Sequence, residues 1–249
     1  MNSPSGPLLA VDVGNTRIKL GLFADFNDAP IKTFAAACEA LSWETLAEFA
    51  PSQPVQWRVG AVRRDIEQQL QNWITQHRPE DLYRRILAAD SPLPTSVKTP
   101  EKVGVDRLLA ALAAKRLRTS GRPAIVVDCG TATTVDQVSA EGVFEGGAIL
   151  PGLRMMGDAL TRNTDLLPPL PLRKTREKPP PLGKSTEQAM AAGVFWASVG
   201  AVRELIRQHQ QPAAELFFTG GDAPAIAAEV APEAHLEPDL VLRGLAACD

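Results

Sequence analysis

Two short segments carry the residue types that a phosphate-handling site needs. The first is Leu8-Leu9-Ala10-Val11-Asp12-Val13-Gly14-Asn15-Thr16, followed by Arg17-Ile18-Lys19-Leu20-Gly21. The second is Ala124-Ile125-Val126-Val127-Asp128-Cys129-Gly130-Thr131-Ala132-Thr133-Thr134-Val135-Asp136. In each, an apolar, β-branched run delivers an Asp to a strand end. A Gly two residues later lets backbone approach a ligand, and small hydroxyl residues precede a return strand. The N–H groups of such a turn form an anion-binding concavity. The hydroxyls add donors to phosphate oxygens, and the Asp can hold a cation directly or through water. The same residues also serve in an ordinary tight hairpin, because Asp, Asn and Gly are turn formers for conformational reasons alone. Their recurrence in both halves favours two related half-molecules facing one phosphate-bearing ligand.

The elements that would position these turns read as α/β. Strands are expected near 8–13, 17–23, 30–35, 57–62 and 83–88, with a helix around 39–49. Ile66, Leu70, Trp73 and Ile74 give residues 64–77 the spacing of an amphipathic helix. Ser91 to Pro100 is a loop. A helix from near Val103 to about Leu117 carries the apolar stripe Val105, Leu108, Leu109 and Leu112, with Asp106 off that stripe beside Ala110 and Ala113. Thr119-Ser120-Gly121-Arg122-Pro123 marks a boundary, giving domains 1–118 and 119–249.

In the second half, Val143 to Leu150 reads as a strand carrying Gly146-Gly147, turned by Pro151-Gly152 into a short helix. Residues 164–184 are dense in proline, with Arg173, Lys174, Arg176 and Lys178 between. A solvated extended loop or a basic binding strip fits them. Ser185 and Gln188 form a capping-box pattern before a helix to about Gln208, whose Ala192, Gly193, Ala197, Gly200 and Ala201 suit close packing. Leu216 to Thr219, Gly220-Gly221 and Asp222-Ala223-Pro224 read as strand, turn and helix, with Asp222 as cap. Adenine or ribose could lie against the bare backbone there, although a simple strand-to-helix turn uses the same residues.

Composition narrows the classes. The 249 residues carry 26 basic and 29 acidic side chains, a net charge of −3, which argues against a nucleic-acid partner. Cys38, Cys129 and Cys248 are odd in number and far apart, which excludes a disulfide framework or zinc spacing and suits a reducing cytosol. Cys129 reads as a small apolar filler rather than a nucleophile, since no His lies near it in sequence. His77, His209 and His235 are scattered, as surface or helix-end residues. Met1 to Pro7 lacks the pattern of a signal peptide, and no apolar run approaches the roughly 20 residues that span a bilayer. A soluble cytoplasmic protein without a membrane partner is expected.

The order of motifs is now distinctive: Asp12 turn, Gly104-Val105-Asp106-Arg107, Asp128 turn, Gly146-Gly147-Ala148-Ile149-Leu150-Pro151-Gly152, Thr219-Gly220-Gly221-Asp222. This order resembles the type III pantothenate kinases of the actin–hexokinase–Hsp70 superfamily, from Asp12 to Gly244-Leu245. The likeness is thin between about 24 and 95. Ala159-Leu160 to Leu167-Pro168 and Gly183-Lys184-Ser185-Thr186 also resemble the family.

The resemblance implies two RNase-H-like domains flanking a nucleotide cleft, and ATP-dependent phosphorylation of pantothenate on the way to coenzyme A. It implies a first phosphate loop from Asp12 through Val13, Gly14, Asn15, Thr16, Arg17 and Ile18 to Lys19. Thr131 would contact ATP phosphate, and Gly220 and Gly221 would belong to the adenosine motif. Asp106 would be the general base. Gly104, Val105, Asp106 and Arg107 would line the pantothenate site, and Thr186 would contact pantothenate. Asp128 would bind a monovalent cation, potassium or ammonium, and Asp12 would hold Mg2+, directly or through water. A homodimer is implied as well.

Physical chemistry bears on each assignment. A hydroxyl attacking a γ-phosphoryl group needs orientation and a nearby proton acceptor, and a carboxylate suffices because the transition state is loose. A helix-start Asp paired with Arg107 or with the helix dipole is the alternative for Asp106. Arg107 suits a carboxylate-bearing substrate, or equally a structural ion pair. Thr186 suits a substrate contact or a helix cap. One departure stands out: Val97, seven residues before Gly104, occupies a position where the family commonly carries an aromatic, usually Tyr. The competing functional classes are a non-catalytic regulator on the same fold and another small-molecule phosphotransferase. Retention of Asp106 and both turns argues against the first, and Gly-x-Asp-Arg against the second.

Overall fold

The computed structural model describes residues 6–24, 29–171, 178–209, 211 and 213–248. The chain divides into two compact units, Met1–Leu117 with Asp239–Asp249, and Arg118–Pro238.

The first unit contains β1 (Leu8–Val13), β2 (Arg17–Phe23), β3 (Lys32–Ala37), α1 (Trp43–Phe49), β4 (Gln56–Ala61), α2 (Arg64–His77), β5 (Leu82–Ile86) and α3 (Val105–Leu117). Its five-stranded sheet has the order β3-β2-β1-β4-β5. β1, β2 and β3 pair antiparallel, whereas β1, β4 and β5 run parallel. Leu9, Val11, Val13, Ile18 and Leu20 from the sheet pack with Trp57, Val59 and the Ile66, Leu70, Trp73 and Ile74 stripe of α2.

The second unit contains β6 (Ala124–Cys129), β7 (Ala132–Val138), β8 (Phe144–Pro151), α4 (Leu153–Arg162), α5 (Thr186–Gln208), β9 (Glu215–Thr219), α6 (Ala223–Val230) and β10 (His235–Leu236). Its sheet order, β10-β9-β6-β7-β8, is that of the first sheet read from the other end. The two units are therefore copies of one RNase-H-like plan, as the paired turns lead one to expect. Ile125, Val127, Cys129 and Val135 pack against Val194, Phe195, Val199 and Val202 of α5 and Ile226 of α6.

Several elements differ from the sequence reading. The helix expected around 39–49 is split into a 3-10 turn, Cys38–Ala40, and α1. Ser42 explains the break, because its hydroxyl accepts the Thr45 N–H at 3.4 Å and starts a new helix. β3 begins at Lys32, two residues later than expected, and α3 begins at Val105, with the Gly104 carbonyl accepting its first N–H groups. The short β10 and the helix α7 (Leu240–Ala246) carry too few residues to show a period. The 23-residue α5 is long and apolar enough, by length and composition, to cross a membrane, contrary to the expectation of no such run. Its Ala, Val and Phe content raises the mean hydropathy, and the buried Val194, Phe195, Val199 and Val202 place it in the core of its unit. Of the basic residues among the prolines, Arg173, Lys174 and Arg176 lie outside the described residues. Lys178 pairs with Glu229 at 2.8 Å.

α7, grouped with the second half by sequence order, packs in the first unit. Gly244 lies so close to the Leu109 carbonyl of α3 that a β-carbon there would collide with it. The buried Arg58 donates to the Leu245 and Ala246 carbonyls at 3.4 and 2.8 Å, and Arg116 donates to Ala247 O at 3.1 Å. Two guanidinium groups thus satisfy the carbonyl end of α7, where the helix dipole favours cations.

A buried carboxylate closes the other end of the first sheet. Asp81 accepts from Val55 N–H at 3.1 Å, from the Trp57 indole at 2.7 Å and from Arg78 Nε at 2.6 Å. Replacing Asp81 by Ala strands the buried indole and a backbone donor, which is expected to destabilise the first unit by about 3 kcal/mol. Urea unfolding followed by tryptophan fluorescence checks this, and an unchanged midpoint contradicts it.

Candidate active site

In the first unit, the turn after β1 follows from register. β1 and β2 pair Asp12 with Lys19 and Val13 with Ile18. Alternation then sends Val13 and Ile18 into the core and leaves Asp12, Gly14, Thr16 and Lys19 half-buried, with Asn15 and Arg17 exposed. Asp12 and Lys19 face each other across the strands as an acid and a base on one face. Val13 and Ile18 offer the site backbone only. Gly14 N–H donates to Arg17 O at 2.9 Å and closes the hairpin.

Asp106 stands in the first turn of α3. Its Oδ1 accepts the Arg107 N–H at 2.9 Å and lies 2.5 Å from where a β-carbon on Gly104 would fall. Gly104 thus leaves room for the carboxylate to fold back over the helix start. Asp106 and Arg107 are both half-buried, while Val105 is buried. Val97 is half-buried in the preceding loop, where its N–H donates to Thr95 Oγ1 at 3.3 Å.

In the second unit three backbone segments meet at the end of β6. Asp128 pairs with Thr134 on β7 and with Thr219 on the parallel β9. Gly130 N–H donates to Ala132 O at 3.0 Å, Gly152 N–H to Thr131 O at 3.2 Å, and Asp222 N–H to Cys129 O at 3.0 Å. Gly220 has φ +91°, and a β-carbon there would fall 2.5 Å from both Asp128 Oδ1 and Cys129 O. Only glycine takes that backbone conformation without strain and also clears the carboxylate. Gly220 and Gly221 are therefore brought beside Asp128, and Gly152, the last residue of the Gly-Gly-x-Ile-x-Pro-Gly motif, beside Gly130-Thr131. Asp222 occupies the N-cap position of α6, with Pro224 in the first turn. Its side chain makes no capping hydrogen bond, unlike the cap expected from sequence.

Burial and the charges of Asp128 and Asp222 push the Cys129 thiol far above its usual range, so it stays protonated, a filler rather than a nucleophile. Thr186 is the exposed first residue of α5. Ser185 Oγ accepts the Gln188 N–H at 3.3 Å, and the Gln188 amide oxygen accepts from Lys184 N–H at 2.8 Å, one residue before the position a capping box uses. Among the described residues, no three His, Cys, Asp or Glu side chains gather as metal ligands. A cation at Asp128 would rely on carboxylate and other oxygen donors, a set that suits hard cations such as potassium or magnesium.

Neighbours of the first turn that the sequence pattern did not single out are Cys38, Val62 and Arg63. Val62 N–H donates to Val13 O at 3.0 Å, and Arg63 Nη1 lies 3.4 Å from Asn15 O. The available signal was the strand expected from Trp57 to Val62. A strand pairing parallel with β1 necessarily delivers its following residues beside the turn.

Comparison with known proteins identifies the family. The family model described as type III pantothenate kinase matches residues 8–208. A type III pantothenate kinase from Rubrobacter xylanophilus is 34% identical over 263 residues, spanning 96% of this chain and 95% of that one. One from Herminiimonas arsenicoxydans is 32% identical over 260 residues, with 96% and 95% covered. One from Rhodopirellula baltica is 46% identical over 166 residues, 65% of this chain and 60% of that one. Among solved structures, the ethanolamine utilization protein EutJ from Carboxydothermus hydrogenoformans superposes with a TM-score of 0.56 at 13% identity, covering 99% of this chain and 91% of that one. The activator of the 2-hydroxyisocaproyl-CoA dehydratase from Clostridium difficile, solved with bound ADPNP, gives 0.51 at 11% identity, covering 97% and 92%. These two share the fold. With the family match running from β1 through α5 and full-length relatives above 30% identity, the chain belongs to the type III pantothenate kinase family.

Proposed function

We propose that this chain transfers the γ-phosphoryl group of ATP to the primary hydroxyl of pantothenate, giving 4'-phosphopantothenate on the route to coenzyme A. The observation that carries the reading is the Gly104-Val105-Asp106-Arg107 helix start, inside the segment matched by the family, with its carboxylate half-buried at the head of α3.

In this reading Asp106 accepts the proton of the pantothenate hydroxyl as the oxygen attacks phosphorus. Its contribution is chiefly orientation plus a nearby acceptor, which a loose transition state requires. Arg107 pairs with the pantothenate carboxylate, and Gly104, Val105, Val97 and Thr186 shape that pocket. With Val97 in place of an aromatic ring, the wall there is aliphatic. The turn from Asp12 to Lys19 and the Thr131 turn bind the polyphosphate through N–H and hydroxyl groups. Gly220 and Gly221 offer bare backbone to the adenosine. Asp12, directly or through water, would hold Mg2+, and Asp128 would hold a monovalent cation, potassium or ammonium; such cations would supply neutralisation of the phosphate charge. The family relationship also supports a homodimer acting in the cytoplasm.

Purified protein supplied with ATP, magnesium, potassium and pantothenate is expected to release ADP and form phosphopantothenate, identified by mass. Absence of that product, with a related hydroxy-acid consumed instead, would move the reading to another phosphotransferase. Asp106→Asn is expected to lower kcat at least ~100-fold while the thermal midpoint holds. Near-normal turnover in that variant removes Asp106 as base. Exchanging potassium for sodium is expected to depress the rate, and equal rates in the two salts would remove the role given to Asp128.

A further inference from the structure

The first phosphate turn is held on both flanks of its hairpin, from the end of β3 beside β2 and from the end of β4 beside β1. Four successive carbonyls, those of Val13, Gly14, Asn15 and Thr16, each face a donor from outside the hairpin. Val62 N–H donates to Val13 O at 3.0 Å, and Cys38 N–H donates to Thr16 O at 3.0 Å. The Cys38 thiol lies 3.6 Å from Gly14 O, and Arg63 Nη1 lies 3.4 Å from Asn15 O. Two short segments on opposite flanks, Cys38 after β3 and Val62-Arg63 after β4, thus engage the carbonyls of the turn.

Arg63 is itself fixed. Its Nη1 also donates to Glu39 Oε1 at 3.0 Å, and its Nε lies 3.1 and 3.2 Å from the two Asp65 oxygens. The guanidinium plane is pinned at both edges by carboxylates that flank it in space, and only then does it reach the tip of the turn. A lysine could supply the charge but not this fork.

Resting on the kinase reading above, we infer that Arg63 is a positioning residue for nucleotide binding. Oriented by Glu39 and Asp65, and acting with Cys38, it keeps the carbonyls of residues 13–16 engaged so that the tip of the turn presents N–H groups to the ATP phosphates. A turn whose carbonyls are already engaged avoids the peptide flips that would point oxygen lone pairs at an anion. Its ordering is then complete before ATP arrives.

Substituting Arg63→Gln tests this. The side chain is partly exposed, at 29%, and removal leaves no buried charge, so folding should survive. The expected result is a KM for ATP raised about tenfold, with matching loss of ATP affinity by calorimetry, because charge-assisted hydrogen bonds of this kind amount to roughly that factor. The KM for pantothenate and kcat stay near wild type, and Arg63→Lys falls between. A second variant separates bracing from simple attraction. Glu39→Gln with Asp65→Asn removes two negative charges beside the turn, so pure electrostatics predicts tighter ATP binding. Bracing predicts weaker binding. Wild-type ATP affinity in Arg63→Gln, equal rises in both KM values with a lowered thermal midpoint, or tighter ATP binding in the double variant would each overturn the inference while leaving the kinase reading intact. Failure of the wild-type chain to bind ATP would instead overturn the kinase reading.

Discussion

Parallel pairing of the first strand of each sheet with its fourth is the constraint on which the site depends. In the first unit Val13 lies beside Ala61, and in the second Asp128 lies beside Thr219. A parallel ladder ends both strands at the same edge. The turn after β1 must therefore meet the residues after β4, and the turn after β6 must meet those after β9. Ligands of open α/β sheets gather at such carboxyl ends, because helix starts and unpaired backbone donors converge there. Antiparallel return through β2 or β7 then makes each turn a tight hairpin rather than a loose loop.

The two units use the same juxtaposition for different ends. After β4 comes Val62-Arg63, a side-chain donor that reaches the back of the turn. After β9 comes Gly220-Gly221, bare backbone that lies on Asp128 and Cys129. A duplicated scaffold has thus received a rigid clamp at one position and an open surface at the equivalent one. The difference follows from side-chain volume: a β-carbon at Gly220 would strike the carboxylate, whereas the space behind Asn15 accommodates a guanidinium.

α3 illustrates how remote packing serves the same end. Asp106 sits at its head, but its placement in the unit is set by α7 at Gly244, whose backbone rests on Leu109. Arg58 and Arg116 secure the carbonyl end of α7. In the proposed reaction, a carboxylate that must meet a hydroxyl within hydrogen-bond reach tolerates little drift. At Gly244 the absence of a side chain lets α7 approach the Leu109 backbone directly.

Much was legible in the amino-acid order. The twofold Asp-x-Gly pattern, the amphipathic period of residues 64–77 and the apolar strands fixed each unit's main elements, because period and turn chemistry are local properties. The Ser42 break, the late start of α3 and the two-residue β10 escaped, since a single cap or a short ladder leaves no period to read. Long-range partners escaped entirely. Nothing near Arg63 in sequence points to Asn15. No local signal in Leu240 to Ala246 says that this helix leaves the second half of the chain to pack on Leu109. By itself, then, the sequence determined which residues form the hairpins, which carboxylate heads a helix and which family the chain resembles. Tertiary structure alone decided which backbone carbonyls are covered, where Gly220 lies and which unit claims the last helix, because those outcomes depend on strand register and on volume, and neither is encoded over a few neighbouring residues.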